Sequence, residues 1–211
     1  AQVAGAGLFV LAAPRALGPD VFGQLAAAYS WMVLFQVPGE LGYAEVFARF
    51  LPEAREDTRR EDTRREDTRR EDTRRALAAR LLALKAVVGV GLGLLAGGLA
   101  PLVLPQTGLS PLAAALIGLI VAARVWTTGL FALLLGLGET GKWSVETTWR
   151  QLILTVLLVW LFRAQNLTTG LLAVLAHEAV FLALGVFHVS RSKLQTSNFK
   201  LQTSNFKLPR F

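Results

Sequence analysis

The side chains in this sequence that could do chemistry are ionisable groups set inside apolar runs. Arg124 stands at the middle of LSPLAAALIGLIVAARVWTTGLFALLLGL, Leu109–Leu137. A guanidinium near the midplane of a bilayer costs about 2.5–3.5 kcal/mol on insertion scales, so it faces a bundle interior or a watery cavity rather than lipid. His177 and Glu178 are adjacent near the centre of a second run, Leu167–Val189, and Glu146 and Arg150 lie one helical turn apart in a third, Trp143–Phe162. Arg124 and Glu178 fall at matching depth, which predicts that they pair, directly or through His177, while Glu146 and Arg150 sit nearer the cytoplasmic mouth. Glu40 and Glu45 follow Pro38-Gly39 with apolar neighbours and read as residues of the membrane interface, placed to gate. The planar fork of arginine binds oxyanions bidentately, so the chemistry on offer is recognition of a phosphate-bearing ligand; the plainer alternative is an interhelical ion pair.

Such groups need helices of membrane length to hold them. The 211 residues are 53% hydrophobic, with a mean hydropathy of +0.46, and several apolar runs are long enough for a helix to cross a hydrocarbon layer of about 30 Å. Alternating strand patterns are absent, so an all-α polytopic bundle is expected rather than a barrel. Six spans are predicted: Ala1–Ala13 as the outer half of a truncated first helix, then Val21–Val37, Leu81–Leu104, Leu109–Leu137, Trp143–Phe162 and Leu167–Val189. Residues 1–190 make one transmembrane lobe and 191–211 a basic cytoplasmic linker. Two prolines and a glycine predict a tight turn over Pro14–Asp20, and Pro38-Gly39 should kink or stop the second span. Trp31, inside that span, is read as packed. Gly89, Gly93 and Gly97 recur at every fourth residue, leaving a bare groove on one helix face that lets a neighbour approach closely. Arg80 and Lys85, at the start of the third span, are expected to snorkel toward headgroups.

Residues 56–75 are EDTRR in perfect tandem, four times over. Each unit is charge-neutral and offers an i,i+4 pair such as Glu56 with Arg60, so a solvated helix leading into the third span is plausible. A five-residue period advances about 500° per unit, which drifts around the helix and leaves no lasting apolar face. The segment reads as a charged spacer; its perfect identity suggests a recent tandem duplication or an error in the sequence, as does that of LQTSNFK, present twice at 194–207, and neither repeat is expected to carry function. The net charge of +7 is concentrated on one side of the predicted spans. Arg49, Arg55, the repeat arginines, Arg80, Lys85, Lys142 and the basic tail fall on that side, against Arg15 and Arg163 on the other. The positive-inside rule places them in the cytoplasm, which accounts for the basic balance without nucleic acid.

Several motifs are excluded by their context. Gly136–Trp143, GLGETGKW, nearly matches a phosphate-binding loop, but a membrane helix precedes it and Trp143 stands where a hydroxyl must bind magnesium. It reads as a glycine-rich turn, with Lys142 and Trp143 marking the interface. His177-Glu178 begins H-E-x-x-H, yet Phe181 occupies the second histidine position, so no zinc site follows. Asn166-Leu167-Thr168 is a formal glycosylation acceptor of little specificity. No cysteine is present, which excludes disulfides and thiol chemistry. The chain implies no covalent chemistry, no cofactor and no metal.

Pro14–Glu53, PRALGPDVFGQLAAAYSWMVLFQVPGELGYAEVFARFLPE, resembles the first-to-second-helix region of bacterial oligosaccharide flippases, the polysaccharide biosynthesis proteins of the multidrug, oligosaccharidyl-lipid and polysaccharide exporter superfamily. The matching positions are Arg15, Leu17, Gly18, Pro19, Asp20, Phe22 and Gly23, then Leu41, Gly42, Arg49, Phe50, Leu51, Pro52 and Glu53; Leu135-Gly136-Leu137-Gly138 is similar to the family's turn after its fourth helix. The resemblance implies one six-helix lobe of a two-lobe transporter in the bacterial cytoplasmic membrane, with a C-terminal lobe to follow in the parent protein. It implies a lipid-linked oligosaccharide as partner and substrate, moved by alternating access; the charges inside the spans, Arg124, His177, Glu178, Glu146 and Arg150, are the residues expected to line its cavity. Departures from the family are the long EDTRR insert and the single lobe. The rivals are a cation-coupled multidrug exporter, which Glu178 would serve, and a non-transporting structural or assembly subunit, in which the buried charges are glue.

Overall fold

The computed structural model describes residues 11–40, 42, 46, 64–105, 108–161 and 165–191, without the side chains of 64–75, 143, 145–148, 151, 160 and 161. Glu45, Arg49 and the 192–211 tail therefore lie outside the described residues, as do the side chains of Glu146, Trp143 and the EDTRR units. Every regular element among the described residues is helical. Helix α1 is described over 11–17; α2 is Pro19–Glu40, α3 Arg64–Val103, α4 Pro111–Gly136, α5 Thr140–Val156 and α6 Leu167–Ser190, with a π-helical turn, Leu157–Leu161, continuing α5.

Helix boundaries follow from local chemistry. Gly18 has φ 80°, the left-handed conformation that ends α1, while its carbonyl accepts from Phe22 and opens α2 behind Pro19. The predicted turn thus contracts to one residue, and Pro14 lies inside α1. Pro38 is accommodated within α2, which ends two residues later at Glu40. Ser110 caps α4 by accepting from the Ala113 amide at 3.1 Å, with Pro111 in the first turn. At its far end Gly138, φ 78°, closes a Schellman motif: Glu139 donates to the Leu134 carbonyl and Gly138 to that of Leu135. The glycine-rich GLGETGKW segment is this turn. Asn166 caps α6 by accepting from the Thr169 amide at 2.9 Å, while Thr169 Oγ1 accepts from the Asn166 amide in return.

Among the described residues, three stretches are long and apolar enough to cross a membrane: Ala76–Val103, Pro111–Gly136 and Leu167–Ser190. Helices α2 and α5 carry more polar residues or are shorter. Helix α4 is the centre of the bundle; 61% of its apolar window is buried by its neighbours, against 28% for α3. It packs on α3 and α6 most extensively, and on α2 and α5. Ile117, Ile120, Val121 and Val125 of α4 form the main core with Leu25 and Met32 of α2 and Leu171 and Val174 of α6.

The α3–α4 contact is a seam of small residues. A Cβ on Gly93 would meet the Gly118 carbonyl oxygen at 2.5 Å, and one on Gly97 the Ala114 oxygen at 2.8 Å. The groove predicted from Gly89, Gly93 and Gly97 is met by Ala114, Gly118 and Ala122, themselves spaced by four along α4. Backbones at this separation gain dispersion contact that hydrophobic burial cannot supply in lipid. Trp31 is packed, as its position suggested, with its indole N–H donating to the Ala96 carbonyl at 2.9 Å.

Candidate functional site

The bundle brings ionisable groups from three helices to one point beside α4. Glu178 of α6 is the hub, its side chain only 6% exposed. Nη2 of Arg150, from α5, donates to both of its carboxylate oxygens. Nη1 of Arg124, from α4, lies 3.8 Å from Oε1. His177 Nδ1 stands 3.4 Å from the same oxygen. The guanidiniums are largely enclosed, with side-chain exposures of 20% for Arg124 and 12% for Arg150. One carboxylate therefore serves two cations, and a buried charge held this way is stable only while its partner stays in place.

Packing fixes the orientation of each group. Phe181, one turn beyond His177 and fully buried, forms the floor: the Arg150 guanidinium carbon is 5.1 Å from its ring centre, and the His177 ring centre is 5.0 Å away. Phe131 of α4 stands behind Phe181 at 6.4 Å. His177 is held at its other nitrogen, where Nε2 is 3.0 Å from the Arg150 carbonyl oxygen. Tyr29 of α2 lies on the rim, within electrostatic reach of Arg124, Glu178 and Glu40. It also lines an apolar cavity of about 150 Å³ between α2, α5 and α6, with Phe22, Leu25, Leu154, Leu158 and Val174.

The structure brings Arg124, His177 and Glu178 together, as depth predicted, and corrects two expectations. Arg150 is not set apart toward the cytoplasmic mouth: it is the closer partner of Glu178, because α5 crosses against α6 with the Arg150 backbone at the level of His177. Lys85 does not snorkel. It is 1% exposed, its stem laid in the slot that the missing side chain of Gly129 leaves on α4. The apolar part of α3 begins at Ala76 rather than Leu81, so Lys85 is already inside the bundle. Glu40 is exposed at the end of α2. Phe181 and Tyr29 were missed by the sequence reading; Phe181 had a signal in lying three and four residues from Glu178 and His177, on the same helix face. Comparison with family models, with curated proteins and with solved structures finds no match for the chain.

Proposed function

We propose that the chain is the N-terminal lobe of a flippase that carries a polyprenyl-diphosphate-linked oligosaccharide across the bacterial cytoplasmic membrane by alternating access. The observation that supports this reading is the convergence of Arg124 and Arg150, from different helices, on the Glu178 carboxylate inside an apolar bundle. A phosphate presents the same acceptors to the same donors, so Glu178 holds the place that the substrate's diphosphate takes when it displaces it. The adjoining cavity under Tyr29 is apolar and suits the hydrocarbon next to the headgroup. In this reading residues 1–190 contribute six spans, counting α1, α2 and α5 with the three longest helices, and the basic loops face the cytoplasm. Rocking of this lobe against a C-terminal one exchanges access to the cluster.

A second reading has one observation in its favour. Arg150 and Glu178 already satisfy each other, which is what interhelical glue in a structural subunit requires. Ligand binding separates the two. The five tryptophans provide a fluorescence signal for titration of the chain in micelles with a prenyl diphosphate and with the corresponding prenyl alcohol. The flippase reading expects the diphosphate to bind, the alcohol to bind at least about tenfold more weakly, and Arg124→Gln to lower diphosphate affinity by a similar factor, 1.4 kcal/mol or more. Equal binding of both compounds, unchanged by Arg124→Gln, leaves the structural subunit.

A further inference from the structure

His177 is the part of the cluster that the proposed function leaves unused, and its hydrogen bonding is incomplete in a specific way. The Arg150 carbonyl oxygen can only accept, so its 3.0 Å contact with Nε2 puts a proton on that nitrogen. In the neutral ring Nδ1 then carries a lone pair. Nδ1 is fully buried, has no hydrogen-bond partner among the described residues, and lies 3.4 Å from Glu178 Oε1. A lone pair this close to a carboxylate oxygen is a repulsive contact, and a proton on Nδ1 turns it into an attractive ion pair.

We infer that Nδ1 of His177 is a proton-binding site that couples proton uptake to anion binding at the same cluster. The inference rests on the proposed function, since it supplies the coupling ion for that site. A proton arriving from water protonates Nδ1, and the imidazolium then competes with Arg150 and Arg124 for the Glu178 carboxylate. The hold of Glu178 on both guanidiniums weakens, and an incoming phosphate takes its place. Linkage makes the effect reciprocal: a bound anion strengthens proton binding by the same factor. The groups that face His177 set the balance. Arg150 from α5 and Arg124 from α4 oppose the imidazolium, Glu178 on its own helix favours it, and Tyr29 from α2 stands within electrostatic reach of Arg124 and Glu178. Glu146, also on α5, has its side chain outside the described residues.

Two measurements on the full chain test this. The first compares prenyl diphosphate affinity between pH 8 and pH 6 in the wild type and in His177→Gln; the ligand's own titration is common to both and cancels in the ratio. The expected result is that the wild type gains about fivefold or more relative to the variant as the pH falls. Binding with the same pH response in both overturns the coupling alone, whereas absence of diphosphate binding at every pH overturns the proposed function with it. The second needs no change at the site. The chain has two histidines, so ¹⁵N-imidazole spectra with His188→Gln for assignment read the His177 tautomer directly. Without ligand at pH 8 the proton is expected on Nε2 and Nδ1 bare. A proton found on Nδ1 instead would mean that the site is already filled, and would overturn the inference.

Discussion

Helix α4 presents opposite kinds of surface to its two main neighbours. Toward α3 it offers Ala114, Gly118 and Ala122, and at Gly93 and Gly97 the backbones close to contact distance. Toward α5 and α6 it offers Arg124, and the space is filled by two guanidiniums gathered around the Glu178 carboxylate. The first contact can form in one way only, because carbonyl oxygens already stand where any Cβ would go. The second can be rearranged, because a carboxylate shared by two guanidiniums can be exchanged for another oxyanion. The seam fixes α4, and in the proposed function the cluster uses that fixed helix as the wall of a site.

The largest expected effect separates the two surfaces by what each tolerates. Glu178→Ala should destabilise the bundle by about 3–5 kcal/mol, since it leaves two enclosed guanidiniums without their shared acceptor. Replacing Arg150 and Glu178 together by leucine should recover the part of that loss due to Arg150, the closer partner of the carboxylate. Thermal unfolding in a single detergent measures both, and a double variant no better than the single one would mean that the cluster is not a separable charge arrangement. A smaller effect is expected at the seam. Gly93→Ala should cost about 1–3 kcal/mol through overpacking against the Gly118 carbonyl, while Gly98→Ala, with open space at its Cβ, should stay within about 0.5 kcal/mol. Equal responses at the two glycines would dissolve the distinction between seam and outer face.

The seam was legible in the sequence because its signal is local: glycines at every fourth residue define a groove whichever helix fills it. Ser110 and Asn166, the caps of α4 and α6, carry an equally local signal in standing just before apolar runs, one that went unread. Depth along a span was also readable, and it brought Arg124 and Glu178 to one level. Lateral placement was not. In a soluble helix the apolar stripe says which face is inside, but α4 and α6 are apolar all round and carry no such stripe, so nothing in the periodicity says which neighbour Arg150 reaches. Lys85 was misplaced because its stem depends on Gly129, forty-four positions away and on another helix. Of the six expected spans, three among the described residues are long and apolar enough to cross a membrane, while α2 and α5 are more polar or shorter.

The account turns on Glu178 as an occupant of an oxyanion site, and one substitution tests that directly. Glu178→Gln removes the competing charge but keeps the shape and one carbonyl acceptor. Titration of the folded variant with a prenyl diphosphate is expected to show tighter binding than the wild type, by up to about tenfold, even though the variant unfolds at a lower temperature. Affinity that is unchanged or weaker in a folded Glu178→Gln chain would contradict the account and leave the three-helix cluster as structural glue.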